Sequence, residues 1–94
     1  MFVLHVDLQV KPGPRSNLEG TFVATFQPAI SAQEGFAAVN LLRSQENESD
    51  YRLAIAFESQ ALQQKWVASS LHQEVWPQIE RHCAGYSVKC YDAV

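Results

Sequence analysis

Apolar and polar residues alternate from Phe2 to Lys11, with Phe2, Leu4, Val6, Leu8 and Val10 on one side and Val3, His5, Asp7, Gln9 and Lys11 on the other. A period of two predicts a half-buried strand. Pro12-Gly13-Pro14 ends it, because proline has no N–H for a ladder and glycine frees the turn. The period then changes. Leu18, Phe22, Thr25, Phe26 and Ala29 recur at helical spacing. Ser16-Asn17-Leu18-Glu19 fits a capping box, in which Ser16 and Glu19 satisfy free N–H groups of the first turn. Pro28 is expected to end or kink this helix. Gly35 opens a second strand, from Phe36 to around Gln45. The polar run from Gln45 to Asp50 reads as a hairpin loop, and Tyr51 to Glu58 alternates again.

Ser59 is placed to cap a second helical region. Leu62, Lys65, Trp66 and Ser69 follow one face, and His72, Val75, Trp76 and Ile79 resume it, which predicts two pieces broken near Ser69-Ser70. Pro77 should kink the second piece, Ala84-Gly85 should end it, and Tyr86 to Tyr91 supplies a last strand. The order β-α-β-β-α-β predicts one ferredoxin-like α+β domain over residues 1–94, an antiparallel four-stranded sheet with the helices on one face. The other sheet face is mixed, with Val3 beside His5 and Asp7. It suits the sheet of a second copy in a symmetric dimer, or plain solvent.

Hydrophobic residues make up 47% of the 94 residues, too many for a disordered chain. A core this small gains from a partner subunit. The net charge of −3 provides no basic stripe, which argues against nucleic acid and against an anionic membrane surface as partners. No apolar run is long enough to span a bilayer, and the first residues lack the basic region of a signal peptide, so the expected location is the cytoplasm. Cys83 and Cys90, with six residues between them, read as reduced thiols. The histidines at 5, 72 and 82 lack metal-ligand spacing, and no metal site is expected.

The opening strand F-V-L-H-V-D-L-Q-V with Lys11-Pro12-Gly13 resembles the antibiotic biosynthesis monooxygenase family. So do Gly35-Phe36, Phe57-Glu58-Ser59 at the second helix, and Trp66 followed by Ser69-Ser70-Leu71-His72 and Val75-Trp76-Pro77. The resemblance covers nearly the whole chain. It implies a homodimeric α/β barrel, formed by two sheets packed face to face, with a pocket between helices and sheet in each subunit. It also implies oxidation of phenolic or quinol-like compounds by O2 with no metal or flavin cofactor; other members degrade haem. The haem-degrading branch has an asparagine where this chain has Val6 and a histidine where it has Trp76, which counts against that activity, with haem ligation shifted to His72 left open. The phenol-oxidising branch places an asparagine four residues before the tryptophan, where this chain has Leu62. The resemblance thus puts Val6 and Leu62 at substrate-binding positions but departs from the known catalytic sets there.

Oxygenation without a cofactor requires the substrate to supply the electrons, so it must first be ionised to a phenolate or enolate. A histidine in an aromatic pocket suits the proton transfer. His72 is the candidate base and Trp66 its catalytic neighbour; Trp76, one turn after His72, is a substrate-stacking wall. The plainer alternatives are a capping or packing histidine and a pair of core tryptophans. Asn40 is a candidate donor to a substrate oxygen, as are Arg43 and Arg52, with surface or dimer ion pairs as the alternative. His5 and Asp7 read as an interface polar pair, and His82 as a residue offsetting a helix dipole. Three functions follow: a cofactor-independent monooxygenase acting on a small aromatic substrate, a non-catalytic small-molecule binding or stress-related module, and a structural dimerisation domain whose tryptophans are buried with no cavity beside His72.

Overall fold

The computed structural model describes residues 1–94, apart from the side chain of Ser16. Strand β1 (Phe2–Val10) leads through Gly13, whose φ of 144° favours glycine, into helix α1 (Arg15–Thr21). A π turn (Phe22–Phe26) and helix α2 (Gln27–Ser31) continue it. The hairpin β2 (Phe36–Arg43) and β3 (Asp50–Phe57) follows, then α3 (Gln60–Val67), α4 (Ser70–Glu80) and β4 (Cys83–Asp92). All strand pairs are antiparallel in the order β2-β3-β1-β4. This is the ferredoxin-like α+β fold that the hydrophobic periods predict.

Phe2, Val6 and Leu8 of β1 and Tyr51, Leu53, Ile55 and Phe57 of β3 are buried beneath the helices. Leu18, Phe22, Phe26, Ile30, Trp66, Val75 and Ile79 meet them from the helical side. Each such side chain, fully buried, contributes about 1.5–3 kcal/mol. The opposite sheet face carries no helix. There Asp7 and Arg52 are cross-strand partners, and the guanidinium donates to the carboxylate over 2.7 and 3.4 Å. His5 packs against Tyr91, with ring centroids 5.0 Å apart.

Several local expectations are corrected. The capping box falls partly on the Ser16 side chain, outside the described residues. Helix α1 starts at Arg15, and Glu19 is no cap: its carboxylate accepts from the Tyr51 hydroxyl and from Arg43 over 3.3 Å. Burial, with this carboxylate beside it, pushes the Tyr51 phenol up to about 12. Pro28 does not end the helix. The π turn closes with Gln27 N–H donating to the Phe22 carbonyl, so the proline falls at the start of a new helical segment, where no N–H is needed. Pro77 lies inside α4, which runs on to Glu80. The break is a turn at Arg81-His82, and Gly85 lies within β4, which begins at Cys83. His82 Nε2 meets the Thr21 hydroxyl at 3.2 Å.

The Ser59 cap holds as expected, and the break near Ser69-Ser70 brings a second serine cap. Ser59 Oγ accepts from Leu62 N–H, and Ser69 Oγ accepts from His72 N–H, each over 3.2 Å. Gly35 has φ 78°, and a Cβ there would sit 2.4 Å from Leu62 Cδ1. Only glycine lets α3 pack this closely on the β2 entry.

Candidate functional site

A cavity of about 660 Å³ lies between α3, α4 and the sheet. Its floor is apolar: Leu4 and Val6 of β1, Leu53 and Ile55 of β3. Period-two alternation puts these four on the helix side of the sheet, which is why a cavity here starts greasy. Phe26 from the π turn closes one wall. Gln60 and Gln64 of α3 and Val88 and Cys90 of the edge strand β4 are among the cavity's exposed lining residues.

Aromatic rings line the interior. Trp66 is 2% exposed and meets Phe26 edge-on at 6.0 Å. The His72 ring stands edge-to-face to Trp66 at 5.1 Å and is stacked with Trp76, at 6.3 Å and an interplanar angle of 17°. Trp76 in turn meets Tyr86 edge-on at 5.2 Å. This arrangement follows from the chain break at Ser69. Its hydroxyl donates to the Trp66 carbonyl over 2.6 Å while capping α4, which brings the end of α3 and the first turn of α4 together. His72 and Trp76 then share a face by i,i+4 spacing.

No aspartate, glutamate, lysine or arginine lines this cavity. His72 is its one histidine. Burial holds His72 below the ordinary histidine range, so the ring is neutral at pH 7. Its Nδ1 is sealed and has no hydrogen-bond partner among the described residues. His5 Nδ1, on the opposite sheet face, is left in the same state.

The structure thus brings Trp66, His72, Trp76 and Val6 to one cavity. It does not bring Asn40 or Leu62 there. Asn40 is exposed and paired in register with Ala54 on the opposite sheet face, and Leu62 packs onto Gly35. Arg43 and Arg52 are held in ion pairs with Glu19 and Asp7, the plainer of their two readings. Sequence reasoning missed Gln63, Phe26 and Tyr86 as lining residues. Gln63 was visible as an amide three residues before Trp66 on the same helical stripe. Tyr86, Val88 and Cys90 alternate along β4 and all turn to the cavity.

Comparison with known proteins agrees with this architecture. The model of the antibiotic biosynthesis monooxygenase family matches residues 1–77, and the chain belongs to that family. An antibiotic biosynthesis monooxygenase-type protein from Caulobacter crescentus superposes with a TM-score of 0.86 at 18% identity, covering 99% of this chain and 89% of that one. One from Bordetella bronchiseptica gives 0.85 at 23%, covering 99% and 97%. SnoaB, a cofactor-independent oxygenase from Streptomyces nogalater, gives 0.83 at 17%, covering 99% and 93%. These likenesses establish the fold. A comparison with curated proteins returns no match. No helix is long and apolar enough to cross a membrane.

Proposed function

We propose that the protein is a cofactor-independent monooxygenase that oxidises a small, flat phenolic or quinol-like molecule with O2. The observation that carries this reading is the cavity itself: uncharged, walled by Trp66, Trp76 and Tyr86, and provided with a single neutral imidazole at His72. Its volume of about 660 Å³ falls within the range of small-molecule sites. Family membership and the likeness to SnoaB support the oxygen chemistry.

His72 takes a proton from the substrate, and the aromatic walls hold the resulting anion away from water, which keeps it electron-rich. The anion's carbon combines with O2. Loss of water then leaves a carbonyl: one hydrogen comes from that carbon and one from the ionised hydroxyl, one atom of O2 stays and the other departs in water, so a phenol with a free ring position becomes a quinone. The substrate supplies all the electrons. Burial lowers the affinity of His72 for protons, which favours its accepting form.

The active unit in this proposal is a homodimer. The uncovered sheet face carries Leu42 and Tyr91, 49% and 47% exposed, around half-buried Val3, Ala54 and Ala56. A second copy seated on it would bury this surface and complete a barrel.

Oxygen uptake with a panel of hydroquinones and anthrones tests the activity. The expected result is uptake in the wild type that falls by at least about a hundredfold in His72→Ala. Uptake no greater than in that variant would remove the enzyme for those substrates. A second reading, a binding module with no turnover, is favoured by the apolar Val6 and Leu62, which stand where the haem-degrading and the phenol-oxidising branches of the family, respectively, carry asparagine. It predicts saturable quenching of tryptophan fluorescence by the same compounds without oxygen consumption.

A further inference from the structure

Gln63 is 8% exposed, the one polar residue of the described set that is buried to this degree. It lies on α3, one turn before Trp66 on the same face, and lines the cavity. Its amide makes no side-chain hydrogen bond among the described residues, yet neither its oxygen nor its nitrogen is among the sealed, unpartnered atoms. The amide therefore meets the cavity. Burying such a group without a partner costs folding free energy that Leu or Met at the same place would not. Its neighbours on the helix do not explain it, since Leu62 and Trp66 are both apolar packing residues.

We infer that the Gln63 amide is a subsite for a second oxygen on the ligand, so that the cavity selects neutral aromatic molecules carrying two oxygens on one ring system over those carrying one. The inference rests on the proposed function for the aromatic class of ligand and adds what distinguishes one aromatic from another. His72 and Gln63 both adjoin Trp66, His72 through its ring and Gln63 through helical spacing. In this inference a flat molecule lying against that indole places one oxygen on the His72 side and the other on the Gln63 side. An amide suits this place for a chemical reason. Its carbonyl accepts from a hydroxyl and its NH2 donates to a carbonyl, so Gln63 matches both the reduced, hydroxylated ligand and its oxidised, quinone-like form. A carboxylate or an ammonium group would match only one of the two. The absence of any cation from the lining disfavours ligands bearing a carboxylate.

The test is calorimetric titration under nitrogen, where no turnover occurs, with naphthalene-1,4-diol and its shape analogue 4-methyl-1-naphthol. Wild type should bind the diol about fivefold to tenfold more tightly, the size of one net hydrogen bond. Gln63→Leu and Gln63→Met should each abolish that preference while keeping the affinity for the methylnaphthol. Both variants remove an unpaired buried amide and should melt no lower than wild type; either one alone decides the outcome if the other does not fold. Equal affinity for both ligands in wild type, or a preference that survives in the variants, overturns the inference and leaves the proposed oxygenase untouched. If neither ligand binds wild type, the aromatic cavity reading falls and this inference falls with it.

Discussion

Replacing His72 by phenylalanine separates a functional histidine from a packing one. The ring lies between Trp66 and Trp76 and leaves Nδ1 buried without a partner. An unsatisfied buried nitrogen costs about 1–3 kcal/mol. Phenylalanine has nearly the same outline and no such nitrogen. Its extra ring atom adds strain of about 1 kcal/mol where the wall is tight, and the adjoining cavity relieves part of that. The net expectation is a gain of about 1 kcal/mol in stability. For a domain of this size that raises the melting temperature by about 4–8 °C. The same variant should lose oxygen uptake, because the cavity then holds no histidine. Thermal unfolding followed by circular dichroism at pH 7.5, paired with oxygen uptake, makes the check. A loss of more than about 1 kcal/mol would mean that the imidazole is bonded in the folded protein, and would refute the argument from its unpaired nitrogen.

Further outcomes follow from the same geometry. Gly35→Ala should destabilise by about 2–4 kcal/mol, from a positive φ and a Cβ pressed onto Leu62; urea denaturation measures it, and a loss under about 1 kcal/mol would contradict the close approach of α3. Ser69→Ala should cost about 1 kcal/mol by uncapping α4, and it should weaken binding of aromatic ligands too, because the lost bond is to the His72 N–H. Burial holds both His72 and His82 below the ordinary range, and Arg81 and Lys11 add to the effect at His82. The unfolded chain therefore takes up protons first as pH falls. Stability is full above about pH 6.5 and declines below it, toward the lower folded values. Urea midpoints from pH 7.5 to 5 should show this slope, shallower in His72→Phe; an unchanged slope in that variant would exclude His72 as a contributor.

Much of the architecture was legible because each strand and helix has one buried face. Phe2, Val6 and Leu8 report a period of two, and Trp66, Val75 and Ile79 report helix, so sheet and layers followed directly. Local detail was less legible where a tertiary partner outranks a local signal. Glu19 caps nothing because Tyr51 and Arg43 hold its carboxylate. Pro28 fails to stop a helix because a π turn resets the register just before it. In the site, Trp66, His72 and Trp76 come together by helical spacing and a serine cap, both of which are local. Asn40 was placed on the correct strand, but the face it takes depends on the irregularity between Phe36 and Ala38 in the pairing of β2 with β3. Gln63 was overlooked because an amide on a helix is ordinarily solvated. Only burial marks it as a residue that meets a cavity.

The most direct test of the central claim is a heteronuclear NMR titration of the protein with 1-naphthol. Saturable shifts of the Trp66 and Trp76 indole N–H signals are expected together with shifts of the His72 ring signals, while His5 on the opposite sheet face stays still. Shifts confined to His5 and Tyr91, or none at all, would contradict a ligand site beneath the helices.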